Sequence, residues 1–328
     1  MDTATHFAMG AALAGLATVD PSVTAYYPAI TTAVVAGSQI PDIDTVLKLR
    51  NNAVYITHHR GITHSVPFTL MWPLLIVGII YLFIQDINVL HFWLWTQLAV
   101  FLHVFVDIFN SYGTQALRPF SRKWIQIGII NTFDPIMFTL LITGCILWAT
   151  GVNPVPVFLT IAVLLVIYYI IRRSLQQSMK KQALKILPHD EKVIKLFVAP
   201  TIRFFEWRVA VETDKHYYIG RGYKRHVNFS DRFRRTPIPP DEVMADARRD
   251  PNLKAFISFS SIYRWTLVEK EHGYELRFID LRYLKNGHYS FVAILNLDHH
   301  CKVTHSYTGW VFSEEKLLRK LNSRPIRQ

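Results

Sequence analysis

The sequence predicts an α-helical multi-pass membrane bundle of about five to six spans, followed by a small, mostly antiparallel β (α+β) soluble domain. Three observations carry this. Charge is split: of 36 Lys and Arg, six lie in residues 1–171 (Lys48, Arg50, Arg60, Arg118, Arg122 and Lys123), beside seven Asp and no Glu. The basic surplus of the chain, +12 overall, therefore sits in 172–328. Apolar runs recur through the first half at lengths that suit a bilayer core, which takes roughly 17–25 helical residues. The second half instead alternates aromatic and β-branched residues with polar ones. A near-neutral apolar half joined to a basic polar half reads as two domains: 1–171 transmembrane, 172–195 a basic juxtamembrane helix, 196–328 soluble and β-rich.

The expected spans are Thr3–Val19, Val23–Ile40, Val66–Ile84, Val89–Phe109, about Pro135–Thr150, and Pro154–Ile171. The first is rich in small residues (Gly10, Ala11, Ala12, Ala14, Gly15). Small residues let helices approach closely in lipid, so this span is expected inside the bundle. The fifth is short and could begin near Ile125, with Asp134-Pro135 interrupting it. No charged region followed by a small-residue cleavage site opens the chain, so a removable signal peptide is not expected. Lys and Arg mark the cytoplasmic side. The segments 41–65, 110–124 and 172 onward hold every basic residue of the first half and its exit, and alternating spans place all three on one side. The expected location is a bacterial cytoplasmic (inner) membrane, with the C-terminal domain in the cytoplasm.

Ionisable residues in spans are costly and usually functional. His6 opens the first span, and Asp42 and Asp44 close the second. His58-His59-Arg60-Gly61-Ile62-Thr63-His64-Ser65 opens the third, and His103 and Asp107 end the fourth. In an up-down bundle these four ends share one side. His103 and Asp107, at i and i+4, lie on one helix face, and Pro41 ends the helix before Asp42 and Asp44. Mixed imidazole and carboxylate ligands suit Zn, Mn or Fe. His6, Asp42, Asp44, His59, His64, His103 and Asp107 exceed the ligands one zinc needs, so one or two divalent ions per chain are expected. Arg60 and Ser65 read either as helix-start residues or as site residues, since a guanidinium beside a metal suits a phosphate. His58 is a candidate proton shuttle. His91, at the opposite end, reads as a hydrogen-bonded interfacial residue. Asp134 either caps a helix or pairs with Arg118, Arg122 and Lys123.

These motifs resemble the bacterial membrane-bound metal-dependent hydrolases (YdjM-like). The matching residues are His6, Pro41-Asp42-Ile43-Asp44, His59-Arg60-Gly61-Ile62-Thr63-His64-Ser65, and His103 with Asp107, followed by Asn110 and Gly113-Thr114, over roughly 1–125. The resemblance implies a multi-pass membrane protein, a divalent metal and hydrolase activity. It names no substrate. A site at the headgroup boundary points to a lipid or phosphoester substrate, although soluble metabolites could reach it. The competing reading is a metal-ion or small-solute transporter using the same cluster. Transporters usually place sites near the midplane, between internal repeats, and no repeat is found here.

Beyond the spans, 172–195 reads as a basic helix that favours anionic headgroups. Strands are expected at Thr201–Glu212, His216–Gly220, Ala255–Glu269, Tyr274–Asp280, Ser290–Asp298 and Cys301–Thr308, with turns at Gly220, Gly273 and Asn286-Gly287, and a helix at Ser313–Leu321. Asp298-His299-His300-Cys301 spells the signature of protein S-acyltransferases. Those enzymes embed it in a Cys-rich zinc region, and this chain has only Cys145 besides. Membrane lipids are the expected partners, and nucleic acid is disfavoured for want of a motif. The oligomeric state has no sequence signal.

Overall fold

The computed structural model describes residues 1–285 and 288–311. Two compact units emerge. The first comprises Met1–Thr45, His59–Gln177 and Ala199–Phe204. The second comprises Val46–His58, Ser178–Val198 and the chain from Phe205 onward.

In the first unit, α1 (Thr3–Ala17) is the inner helix. Asp2 caps it, accepting from Thr5 N at 3.0 Å. It is buried on nearly every face, from His6 through Ala8, Ala12, Ala14 and Ala17. Its small residues permit this. A Cβ on Gly10 would lie 2.3 Å from Ser38 Oγ, and one on Gly15 would lie 2.8 Å from the Phe158 ring.

The second expected span is divided. Asp20 and Pro21 start a single turn, α2 (Pro21–Thr24), and Pro28 sits in the first turn of α3 (Tyr27–Gly37). Eleven residues of helix reach only about 16 Å. A 3-10 segment, Ile40–Leu49, follows and carries Asp42 and Asp44. A short α4 (Asn52–His58) belongs to the second unit. Next come α5 (Val66–Phe83) and α6 (Val89–Asp107). Asp134 caps α7 (Pro135–Ala149) through Ile136 N and Met137 N and accepts from the Tyr168 hydroxyl, which settles its reading as a cap. The start near Ile125 is not seen. That stretch is extended and joins the end of α6 through Ile127 N to Ile108 O (2.8 Å) and Ile129 N to Phe109 O (2.9 Å).

The last helix, α8 (Pro154–Lys185), continues well past the apolar run. Among the described residues, α5, α6 and α8 are the three helices long and apolar enough to cross a membrane. Leu74, Leu82 and Phe83 on α5, and Val163, Val166 and Ile170 on α8, are exposed. An apolar surface of that extent is stable only against another apolar medium. Arg172, expected to face headgroups, is instead buried. Its Nε donates to Ile129 O at 3.0 Å, and Gln176 Nε2 donates to Ile127 O and Gly128 O at 2.9 Å each. Carbonyls left bare by the extended stretch are satisfied by α8. At the far end, Asp20 accepts from His91 Nδ1 (2.7 Å) and Trp95 Nε1 (2.9 Å), the structural role expected for His91.

The second unit carries two antiparallel sheets. The first has the order β1 (Val193–Pro200), β2 (Glu206–Thr213), β3 (His216–Tyr223), β4 (His226–Arg234). The helix expected to run to 195 stops at Lys185, ahead of Pro188, and β1 takes the remainder. β4 was not expected, because its alternation is hidden among charged residues. Two helices follow, α9 (Asp241–Ala247) and α10 (Pro251–Phe259). The expected strand Ala255–Glu269 is corrected here. Asp250 accepts from Leu253 N at 2.9 Å and Pro251 occupies the first turn, so a helix starts and runs to Phe259.

The strand proper is β5 (Tyr263–Lys270), pairing with β6 (Gly273–Asp280). A ribbon of β7 (Leu284–Lys285) and β8 (His288–Tyr289) precedes β9 (Phe291–Leu297) and β10 (Val303–Trp310). The second sheet has the order β10-β9-β6-β5, and Leu253 and Phe256 of α10 pack on its Phe278 and Phe291. Residues 298–301 form the turn before β10. Asp298 Oδ1 accepts from His300 N and Lys302 N at 2.9 Å each, and Cys301 adopts φ +59. The Asn286-Gly287 turn and the Ser313–Leu321 helix lie outside the described residues.

The α1–α3 approach has a direct test. Gly10→Ala should destabilise the protein by about 1–3 kcal/mol through overpacking. Gly78→Ala, where a Cβ meets nothing within 4 Å, should be neutral. Thermal unfolding of both variants in detergent checks this, and equal midpoints would refute the packing.

Candidate metal centre

The four helix ends meet. His6 projects from α1, Asp42 from the 3-10 segment, His64 from the turn before α5, and His103 and Asp107 from the last turns of α6. His6, His64, His103 and Asp107 are fully buried. His64 Nε2 lies 3.5 Å from Asp42 Oδ1 and 3.4 Å from Asp107 Oδ2. His103 Nε2 lies 3.8 Å from each of the same two oxygens. Donor atoms of Asp42, His64, His103 and Asp107 all fall within 4.8 Å of one another.

The far side of each ring fixes its tautomer. His103 Nδ1 donates to Ser38 O at 2.7 Å. The Thr63 hydroxyl donates to Asp44 Oδ2 at 2.8 Å, so it accepts from His64 Nδ1, 3.1 Å away. Both rings therefore turn an unprotonated Nε2 toward the centre, the arrangement that metal-ligating histidines use. Burial pushes the His64 imidazole well below its usual range. Burial opposes ionisation of Asp42, and the nearby Arg60 guanidinium favours its carboxylate. A neutral imidazole and an ionised carboxylate are the ligating forms.

Whether a cation fits is answered by the orphaned atoms. Asp42 Oδ1, His64 Nε2, His103 Nε2 and Asp107 Oδ2 are all buried without a hydrogen-bond partner. Four lone-pair donors facing one another repel unless a cation stands among them. Atoms about 2.0–2.2 Å from one tetrahedral ion stand roughly 3.3–3.6 Å apart, close to the separations here. The residues present fit a divalent metal.

The remaining expected residues separate into roles. His6 stacks on His103, with ring centres 3.7 Å apart, and its Nε2 is 3.4 Å from Asp107 Oδ1. The Met1 amino group is 3.0 Å from His6 Nε2 and in contact with Asp107 Oδ1. Asp44 and His59, with Asp42, form a second group near enough to share an ion. The Asp44 oxygens, however, already accept from His59 Nδ1 (2.7 Å), Arg60 N (3.0 Å) and the Thr63 hydroxyl. We read Asp44 as the brace of the 59–64 turn. That turn needs one, because Arg60 is held at φ +58, a conformation costly for a residue with a Cβ. Arg60 is buried, with Nε 3.4 Å from Asp107 Oδ2.

Ser65 precedes α5 and is buried, and its carbonyl accepts from Thr69 N at 2.8 Å. His58 falls in the second unit, outside the one that holds the cluster. It is exposed at the end of α4, with Nδ1 2.8 Å from Val54 O. Three groups went unread as site residues. Thr63 and Asn110, which donates to Asp107 Oδ1 at 3.1 Å, both stand inside or beside the quoted motifs. The Ser38 carbonyl, being backbone, leaves no trace in residue type.

The family model described as "YdjM inner membrane protein" matches residues 1–177, just over half of the chain. The chain belongs to this family. Its later residues match the YfhP middle domain (190–233) and the YfhP C-terminal alpha/beta plait domain (242–321). The uncharacterized protein YfhP of Bacillus subtilis (strain 168) is 51% identical over 324 residues, covering 98% of each chain. No solved structure matches. With the family's description and its own apolar helices, this chain is an inner membrane protein, and its His/Asp group could hold a metal ion.

Brace and ligand are separable by experiment. Asp44→Ala should weaken metal affinity by about 10–100-fold, the usual cost of losing an outer-shell partner. Asp42→Ala should remove the metal. Equal losses in a metal titration would make Asp44 a ligand.

Proposed function

We propose that this protein is a multi-pass, metal-dependent membrane hydrolase that cleaves a phosphoester or lipid-related substrate at the cytoplasmic edge of the bilayer. The observation that carries this reading is the set of four buried ligand atoms, from Asp42, His64, His103 and Asp107, that have no hydrogen-bond partner. A divalent ion, Zn, Mn or Fe by ligand type, supplies Lewis acidity and makes water a nucleophile near neutral pH. The protein supplies the rest. Ser38 O and Thr63 hold the imidazoles in register, and Asp44 holds the turn that carries His64. Arg60 offers a guanidinium where negative charge develops in the transition state.

The topology supports five to six crossings, with α1, the α2–α3 pair and α7 completing the bundle begun by α5, α6 and α8. Basic residues in 41–65 and 110–124 favour the cytoplasm for the site. The ligands gather at helix ends rather than within broken helices, which argues against passage of the ion through the bundle.

Purified protein should carry stoichiometric divalent metal and hydrolyse at least one member of a phosphomonoester, phosphodiester and phospholipid panel. His64→Ala and His103→Ala should lose both properties while inserting at wild-type levels. Metal uptake into proteoliposomes without hydrolysis would favour transport instead. For sidedness, a cysteine replacing exposed Leu49 should react with an impermeant maleimide only in inside-out vesicles.

A further inference from the structure

The turn after α6 buries more polar groups than the metal ligands use. It runs from Asp107 back to Arg60: Asn110 Nδ2 donates to Asp107 Oδ1, and Gln115 N donates to Arg60 O at 2.9 Å. Asn110 Oδ1 closes the turn, accepting from Tyr112 N (2.7 Å) and Gly113 N (3.0 Å), with Gly113 at φ +71. On this turn Ser111, Thr114 and Gln115 are buried. The Ser111 and Thr114 hydroxyls and Gln115 Oε1 have no hydrogen-bond partner, whereas Gln115 Nε2 is held by Arg122 O at 2.8 Å. Arg60 presents the same imbalance. Its Nη2 donates to Met1 O at 3.0 Å and its Nε faces Asp107 Oδ2 at 3.4 Å, while Nη1 has no hydrogen-bond partner.

Buried polar groups in folded proteins are nearly always satisfied. Here a run of them is left over between one arginine and one metal-ligand carboxylate. The set is rich in donors, with the Arg60 Nη1 amino group and two hydroxyls. Its chemistry is that of an oxyanion site, and Arg binds tetrahedral oxyanions through paired N–H donors. The nearby Asp107 carboxylate repels an anion unless a cation neutralises it. The anion-binding groups and the metal ligands are therefore complementary in charge.

We propose that Arg60, Ser111 and Thr114 form a phosphate-binding subsite adjoining the metal ligands, with Gln115 Oε1 accepting from a protonated oxygen of the same group. This rests on the metal-hydrolase reading and narrows its substrate class to phosphate esters. The phosphate can belong to a lipid headgroup or to a soluble metabolite, because both present the same oxygens.

The test uses full-length, metal-loaded protein in detergent, titrated calorimetrically with inorganic phosphate. Metal content and melting temperature are recorded for every variant. Ser111→Ala combined with Thr114→Val should raise the phosphate Kd about tenfold or more while leaving metal content and melting temperature unchanged. Arg60→Lys, which keeps the charge but loses the planar guanidinium donors, should likewise raise the phosphate Kd. An unchanged phosphate Kd in both variants overturns the subsite, whatever the hydrolase activity. Protein that lacks metal yet binds phosphate through Thr114 and Arg60 overturns the hydrolase reading and leaves the subsite standing. Competition by glycerol 3-phosphate against phosphatidic acid in nanodiscs then identifies the source of the phosphate.

Discussion

The first unit is organised around a carboxylate that water does not reach. Asp107 is fully buried at the end of a helix apolar enough to cross a membrane. An isolated buried charge is very costly. Groups at the unit's ligand end offset this one. The Met1 amino group, ahead of α1, touches Oδ1, and the turn before α5 brings the Arg60 guanidinium to Oδ2. The loop after α6 adds Asn110. Compensation of this kind ties the conformation of the 59–64 turn, the position of α1 and the end of α6 to one another.

Much of this was legible because ionisable residues stand out in apolar sequence. Their positions at run ends, combined with alternating direction, bring His6, Asp42, Asp44, His59, His64, His103 and Asp107 to one side of the bundle. The inner position of α1 was equally legible from its Gly and Ala content. The misreadings share a cause, which is that local signals were overridden by context. The apolar run from Val23 to Ile40 conceals the restart forced by Pro28. His58 sits in the motif beside His59 yet ends α4, where its ring turns back to Val54. Arg172 looks like a surface cation because it opens a basic stretch, but the carbonyls of 127–129 take their donors from Arg172 and Gln176 on a sequence-distant helix. Within the C-terminal domain, Asp250-Pro251 marked a helix start that the aromatic content of the following residues masked.

Relatedness and geometry speak to different matters. The YdjM family places the chain in a membrane, and the YfhP match carries the same architecture through the C-terminal domain. Neither assigns chemistry. The case for metal rests on this chain's own atoms, on tautomers fixed from behind by a backbone carbonyl and a threonine hydroxyl. Asp44 sharpens it, since its oxygens already accept three hydrogen bonds while Asp42 Oδ1 accepts none.

The hydrogen bond from His103 to Ser38 O also bears on how the protein tolerates change in length. It sets the rotational phase of α6 against the end of α3. One residue inserted in α6 upstream of His103 would swing the imidazole by about 100° and strand the Ser38 carbonyl. An insertion between Ser121 and Trp124, downstream of the turn that returns to Arg60, leaves that phase untouched. Length variation among relatives is thus expected to collect in the loop and spare the helix, so the gap pattern of an alignment would record this one contact.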